Sequence, residues 1–250
     1  MTPEPGSFTD HFSRVSEVYA RFRPRYPEAL FDWLAAVAPA RRLALDCATG
    51  NGQAAVGLVQ RFDRVVATDA SAAQLEVATA HPRIEYRVAR AEASGLADAS
   101  CDLVAAAQAL HWFDRPAFFA EARRVLVPGG VVAAWGYLRL RTGDAELDAE
   151  LDRFHDGIVG AFWPPGRELL DGGYRGIDLP CAEIAAPSFA IEARLSLEAL
   201  AGYFGSWSAT DRFRRAVGAD PVPEFVAGLA AAWGDERAVR WPIALRAGRV

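Results

Sequence analysis

Residues 45–53 read Leu45-Asp46-Cys47-Ala48-Thr49-Gly50-Asn51-Gly52-Gln53. An apolar run ends there on a carboxylate and turns through small residues into a helical pattern. Small residues let a backbone approach a ligand closely and present N–H groups at the start of a helix. Such strand-to-helix loops serve several nucleotide ligands and also plain turning, so the carboxylate is what narrows the reading. An anion at Asp46 repels a pyrophosphate but attracts the ammonium or sulfonium region of an aminoacyl sulfonium ligand, directly or through water. The G-x-G-x-x-G spacing is missing as well, because the glycines are Gly50 and Gly52 and position 55 is Ala55. An ordinary capping aspartate before a tight turn is the plainer alternative.

Outward from this loop, Arg42 to Asp46 and Arg64 to Asp69 read as strands, each followed by a helical pattern, and Ile84 to Val88 is a third strand before a loop. Asp102 to Ala107 and Val131 to Trp135 continue the alternation. The helix between them is opened by Asp114 as N-cap with Pro116 in its first turn, and Pro128-Gly129-Gly130 stops it. Continuous apolar strands separated by helices predict a parallel sheet covered on both faces, with ligands at the carboxyl ends of its strands. Beyond Trp135 the spacing predicts an amphipathic helix over Asp144 to Phe162, broken at Trp163-Pro164-Pro165-Gly166, as a lid. Strands over Glu183 to Ile191 and Ala238 to Arg246 follow, with helices at Leu197 to Trp207 and Val222 to Trp233 between them. The chain is expected to form one domain over 1–250: a helical cover over 1–40, a ligand-binding core over 41–137, and the lid with C-terminal strands and helices over 138–250.

Asp69 closes the second strand, 19 residues after Gly50. An acidic side chain there in a doubly wound sheet accepts both ribose hydroxyls of an adenosine. Its alternative role is to cap the helix starting near Ser71, which Ser71 itself can also do.

Composition removes other classes. With 52% hydrophobic and 24% charged residues the chain has the profile of a soluble globular protein. Its 27 basic and 32 acidic residues are scattered and sum to −5, so no basic field gathers nucleic acid. No apolar run approaches the ~20 residues a membrane span needs. Met1 to Phe12 lacks a basic start followed by an apolar run, so a cytoplasmic location is expected. Cys47, Cys101 and Cys181 are far apart and lack CxxC spacing, which reads as reduced structural thiols rather than disulfides or zinc ligands.

On these motifs the chain resembles class I S-adenosylmethionine-dependent methyltransferases, in the methyltransferase type 11 group that includes trans-aconitate methyltransferase-like proteins. Leu45 to Gln53 resembles motif I, Val66 to Ser71 motif II, Arg90-Ala91-Glu92 the adenine-contacting loop and Asp102 to Asp114 motif IV. Arg124 to Trp135 is similar to the helix and fifth strand that follow. The most specific matches are Ala107-Gln108-Ala109-Leu110-His111-Trp112-Phe113-Asp114 and Tyr19-Ala20-Arg21-Phe22-Arg23-Pro24-Arg25-Tyr26-Pro27. Gly205-Ser206-Trp207-Ser208 and Trp241-Pro242-Ile243 look like the subgroup's C-terminal half. One departure stands out: Ala48 takes the place of the first motif I glycine and adds a methyl group near the expected cofactor path.

The resemblance implies a Rossmann-like α/β fold with a mostly parallel seven-stranded sheet, helices on both faces, an N-terminal helical cover and a helical lid after strand 5. The expected cofactor is S-adenosylmethionine, leaving as S-adenosylhomocysteine, with no metal. Its expected contacts are Tyr19, Arg23, Asp46, Ala48, Gly50, Gly52, Gln53, Asp69, Ala70, Gln74, Ala91, Glu92, Gln108 and Ala109. Methyl transfer to a small molecule, at a carboxylate or hydroxyl oxygen, is the expected reaction. His111, after the fourth strand, is the candidate base or orienting group, with a packing role as the alternative. Arg25, Tyr26, Trp112, Trp163, Tyr203 and Trp207 are the candidate acceptor contacts, and Phe162 stands near them. Aromatics at such spacings also serve as core. The partners are a small-molecule acceptor, no nucleic acid and no membrane, with a monomer or homodimer.

Rival readings have specific obstacles. A nucleic-acid amino-methyltransferase needs an Asn or Asp with Pro-Pro and an aromatic after the fourth strand, where this chain has Gln108-Ala109-Leu110-His111. A protein arginine methyltransferase needs paired glutamates, which are not visible. An NAD-dependent dehydrogenase conflicts with Asp46. A module that binds S-adenosylmethionine without turning it over keeps Asp46 and Asp69 and is the remaining alternative.

Overall fold

The computed structural model describes residues 24–250. Tyr19 and Arg23, expected to contact the cofactor, and the front of the expected helical cover lie outside the described residues.

Strands β1 (Leu43–Cys47), β2 (Arg64–Asp69), β3 (Ile84–Val88) and β4 (Cys101–Ala107) pair in parallel, as do β4 and β5 (Leu126–Tyr137). The order across the sheet is β3-β2-β1-β4-β5-β8-β6, where β8 is Arg237–Arg249 and runs antiparallel to β5. Strands β6 (Ala182–Glu183) and β7 (Phe189–Leu195) occupy successive parts of the far edge of β8. The sheet is therefore seven positions wide, with the seventh divided. Pro187 lies in the gap and has no N–H for a ladder. This corrects the continuous strand expected over Glu183 to Ile191.

Side-chain alternation sorts the sheet into two faces. Ala44, Val65, Leu103, Val131, Ala133 and Trp135 join one core with Leu30, Phe31 and Leu34 of α1 (Glu28–Val37) and Leu58 of α2 (Gln53–Leu58). Leu45, Val66, Val104, Val132 and Ala134 join the other, with Phe118, Ala122 and Val125 of α4 (Arg115–Val125). Between β2 and β3 lies the short α3 (Ala72–Glu76). Helix α1 sits so close to α2 that a Cβ on Gly57 would collide with the Phe31 ring. Asp102, fully buried, pins the start of β1 to β4: it accepts from the N–H of Arg42 at 2.8 Å and of Leu43 at 3.3 Å, and from the Arg42 guanidinium at 2.8 Å.

Asp114 caps α4 as expected, accepting the Ala117 N–H. The Pro-Gly-Gly turn differs. It does not precede the strand but forms a bulge inside β5, where Cys101 opposes Leu126 and Leu103 opposes Val131. Gly129 has φ +78°, and a Cβ on Gly130 would press on the Val127 carbonyl at 2.8 Å, so both places demand glycine.

After β5 the single helix expected over Asp144 to Phe162 is three pieces. Helix α5 (Ala145–Asp152) is capped by Asp144, a π-helical turn covers Arg153–Ile158, and a 3-10 turn covers Gly160–Phe162. Gly157 and Gly160 weaken helix continuation there. Helix α6 (Arg167–Asp171) follows. Helices α7 (Leu197–Gly205), α8 (Ser208–Val217) and α9 (Val222–Trp233) pack with β7 and β8 around a third core centred on Phe154, Tyr203, Phe204, Trp207, Phe225 and Trp241. Among the described residues no helix is long and apolar enough to cross a membrane.

Candidate active site

The carboxyl ends of β1, β2, β3 and β4 lie side by side on one edge of the sheet, and most candidate residues converge there. Leaving β1, Ala48, Gly50 and Gly52 all take left-handed backbone conformations, with φ of +52°, +56° and +85°. Glycine adopts these without penalty and alanine does not. The loop is clamped at its base by β2. The Thr49 N–H donates to the Thr68 carbonyl at 2.9 Å, and Asp69 receives the Gly50 N–H at 2.8 Å and the Ser71 N–H at 2.9 Å. A Cβ on Gly52 would collide with the Tyr86 hydroxyl, which itself donates to the Thr79 carbonyl. Asp69 thus sets the loop as well as standing beside it.

Asp46 is fully buried. Its Oδ2 accepts the Thr49 hydroxyl at 2.5 Å, while its Oδ1 has no hydrogen-bond partner. Loss of water, reinforced by the neighbouring Asp69 charge and opposed by the Thr49 hydroxyl and the Ala55 N–H, pushes its carboxyl up to about 7. A buried carboxylate oxygen without a donor is costly, and a cationic ligand group at the loop removes that cost. Gln74 lies over the loop, its Oε1 3.8 Å from where a Gly50 Cβ would be. Gln53 opens α2, and Ala70 follows β2, half-buried. Beyond β3, Ala91 is buried, and Glu92 ties this loop to the next by accepting the Asp114 N–H at 3.1 Å.

The loop after β4 is also strained. Gln108 has φ +56°, its N–H donates to the Trp135 carbonyl at 2.7 Å, and its side-chain amide covers Gly136. Ala109 is buried. His111 is half-buried, and its Nδ1 lies 3.1 Å from the Tyr174 hydroxyl. Burial, with help from the Arg167 charge, drives His111 down to about 3, so its imidazole is neutral at physiological pH. A base of that strength draws protons poorly, whereas a neutral imidazole orients a partner by hydrogen bonding.

Among the candidate acceptor contacts, Tyr26 stands at the rim, edge-on to Trp135 with ring centres 5.8 Å apart and near Tyr137. Trp112 is exposed and packs against His111, the rings 4.8 Å apart and tilted by 41°. Trp163 is half-buried and donates to the His155 carbonyl. Arg25 is exposed. Tyr203 and Trp207 are not on the rim: they are buried in the C-terminal core, and Trp207 reaches outward through ring contacts with Trp163 at 5.2 Å and His155 at 5.6 Å. Phe162 packs edge-on against Phe213.

Sequence reasoning missed Arg167, Tyr174 and His155, which the lid brings to this edge. Gly166 lies against the His111 carbonyl and Leu170 over Gly136. Tyr174 is fully buried, and the only sequence signal for this docking is the Pro-Pro-Gly break before it. Among the described residues no group of three His, Cys, Asp or Glu side chains is placed to hold a metal ion.

A family model described as a methyltransferase domain matches residues 45–134. A candidate methyltransferase of Dictyostelium discoideum is 32% identical over 226 residues, spanning 89% of this chain and 86% of the relative. The chain belongs to the class I S-adenosylmethionine-dependent methyltransferases. The solved structure of a candidate type II methyltransferase from Anaeromyxobacter dehalogenans is 51% identical to this methyltransferase, covering 91% of this chain and 98% of that one, with a TM-score of 0.85. An uncharacterised methyltransferase of Mycobacterium tuberculosis is 41% identical over 120 residues, about half of each chain. The Rossmann-like fold read from the sequence is thus the fold of the methyltransferase.

Proposed function

We propose that the enzyme holds S-adenosylmethionine across the ends of β1 to β4 and methylates a small molecule at a carboxylate or hydroxyl oxygen. The observation that carries this reading is Asp46: a buried carboxylate with one unpartnered oxygen, at the foot of a left-handed loop clamped by a second carboxylate, Asp69. When bound, the cofactor supplies a methyl group already activated by its sulfonium. The residues therefore have to bind, orient and exclude water more than to perform acid–base chemistry.

Asp46 attracts the ammonium end of the cofactor, and the backbone from Ala48 to Gly52 lies along its length. A carboxylate accepts up to about four hydrogen bonds, so Asp69 can hold its two backbone donors and still accept ribose hydroxyls. Gln53, Ala70 and Gln74 border that position, Ala91 and Glu92 flank the adenine, and Gln108 and Ala109 close the far side. Tyr19 and Arg23 are assigned to the methionine carboxylate on the resemblance alone.

His111, neutral and directed by Tyr174, orients the acceptor rather than removing its proton. A carboxylate acceptor, already ionised at pH 7, needs no base. Tyr26, Trp112 and Trp163 form the acceptor wall, with Arg25 at its mouth and Tyr203 and Trp207 supporting Trp163 from behind.

Calorimetric titration with S-adenosylmethionine, S-adenosylhomocysteine and NAD, on the wild type and on Asp69→Ala with its melting temperature checked, tests the cofactor assignment. Micromolar binding of the adenosyl ligands that is lost in the variant is expected. Absence of binding in the wild type, or preference for NAD, overturns it.

A further inference from the structure

Arg167 opens α6 and is held over the loop that follows β4. Its neighbour Gly166 packs so closely on the His111 carbonyl that a Cβ there would come within 2.8 Å, and Leu170 one turn on lies over Gly136 beside the Gln108 amide. The Arg167 guanidinium carbon sits 4.5 Å from the centre of the Trp163 ring, and its Nε donates to Asp171 Oδ1 at 3.0 Å. The side chain is only 18% exposed. Yet neither Nη1 nor Nη2 has a hydrogen-bond partner among the described residues.

A guanidinium carries five N–H donors in a rigid fork, so the four on Nη1 and Nη2 face the accessible part of the side chain and are open to a ligand. The surrounding charges do not satisfy them. Asp171 is shared: its Oδ2 lies 4.0 Å from Arg139 and 3.9 Å from His155 Nε2. Asp152 and Asp156 are taken up by Arg139 and Arg141. His111 and Tyr174 are both uncharged at neutral pH, and His155, on which the Arg167 charge also acts, is held below the usual imidazole range mainly by burial. Trp163 holds the guanidinium plane from below by a cation–π contact.

We propose that Arg167 is the specificity-determining residue for the acceptor: it grips an anionic group of the acceptor, a carboxylate, through Nη1 and Nη2 while the methyl-accepting oxygen faces the cofactor. This rests on the methyl-transfer reading above. It makes the substrate a small organic acid, and it makes the lid segment, rather than the sheet, the part of the chain that recognises it. Arginine suits the task because its two terminal nitrogens match the two oxygens of a carboxylate. A lysine at this place supplies the charge without the fork.

The test uses the full chain saturated with S-adenosylhomocysteine and four probes, succinate, citrate, benzoate and the neutral analogue benzamide, titrated calorimetrically. At least one acid is expected to bind the wild type. That binding should weaken about 10- to 100-fold in Arg167→Gln and by less in Arg167→Lys, while affinity for S-adenosylhomocysteine stays within about twofold. Melting temperatures show whether each variant folds, and the lysine variant keeps the comparison usable if glutamine disturbs Asp171. The proposal is overturned if none of the three acids binds the wild type, if benzamide binds as well as benzoate, or if the acids bind both variants unchanged. Failure of the wild type to take up S-adenosylhomocysteine is a separate result that overturns the cofactor assignment instead.

Discussion

Replacing Ala48 by glycine should stabilise this enzyme. Ala48 has φ +52°, a left-handed conformation that costs an L-residue roughly 1–2 kcal/mol. Glycine removes that strain but gives back about 0.4–1 kcal/mol, because its unfolded chain is freer. The net gain is between about 0 and 1.6 kcal/mol, centred near 0.8. For a chain of this size 1 kcal/mol moves the melting temperature by about 2–4 °C, so Ala48→Gly should melt about 2–3 °C higher. Gly50 provides the mirror experiment, since its φ is +56° and no atom crowds the place of its Cβ closer than Gln74 at 3.8 Å. Gly50→Ala therefore introduces the same strain without a clash and should melt lower by a similar amount. Differential scanning calorimetry of the three proteins, with and without S-adenosylhomocysteine, reads both effects, and Ala48→Gly should also bind the ligand more tightly because a methyl group leaves its path. A lower melting temperature for Ala48→Gly, or an unchanged one for Gly50→Ala, would refute the reasoning, because the loop would then relax around either side chain.

Two further outcomes follow from buried titratable groups. The Asp46 carboxyl, raised to about 7 by burial, keeps in the native state a proton that the unfolded chain releases near pH 4. Stability is therefore lost as pH rises from about 4 to about 7, by at most ~1.4 kcal/mol per pH unit. Asp46→Asn should flatten this part of a melting-temperature profile, and cofactor binding near pH 6.5 should release a proton, measurable by calorimetry in two buffers of different ionisation enthalpy. His111, lowered to about 3 mainly by burial, is the opposite case, and its contribution to stability is lost as pH falls from about 6.5 toward 3. Between pH 5.5 and 8 it should add no inflection to kcat. A wild-type inflection near pH 6.5 that vanishes in His111→Asn would restore it as a general base.

The sheet was legible because its strands are short apolar runs with clear stops. Arg64 to Asp69, Ile84 to Val88 and the helix Val222 to Trp233 match the structure residue for residue. The cofactor edge was legible for a related reason: carboxylates at the ends of two adjacent strands are rare enough to be informative. Hidden were features that depend on how distant segments meet. Pro187 is a local sign that a strand over Glu183–Ile191 breaks, but nothing local says that both pieces pair with one partner strand. Arg167 and Tyr174 reach the rim only because a five-residue helix docks on Gly136 and His111, contacts far apart in sequence. Aromatic residues misled in the other direction, since Tyr203 and Trp207 look like pocket lining in sequence but are buried among Phe204, Phe225 and Trp241. Size and apolarity suit a wall and a core equally.

Strand β8 joins β5 on one edge to β7 and β6 on the other, and it is the last strand in chain order. During synthesis β1 to β5 can assemble as soon as they emerge, but β7 then has no neighbour to pair with and shows bare backbone N–H and C=O groups until Arg237 to Arg249 leaves the ribosome. For that interval the nascent chain carries an open strand edge beside an uncovered aromatic cluster, a combination that invites wrong association. Emergence of β8, rather than formation of the cofactor loop, is thus the vulnerable moment in this enzyme's folding, and a chaperone that holds β7 would act there.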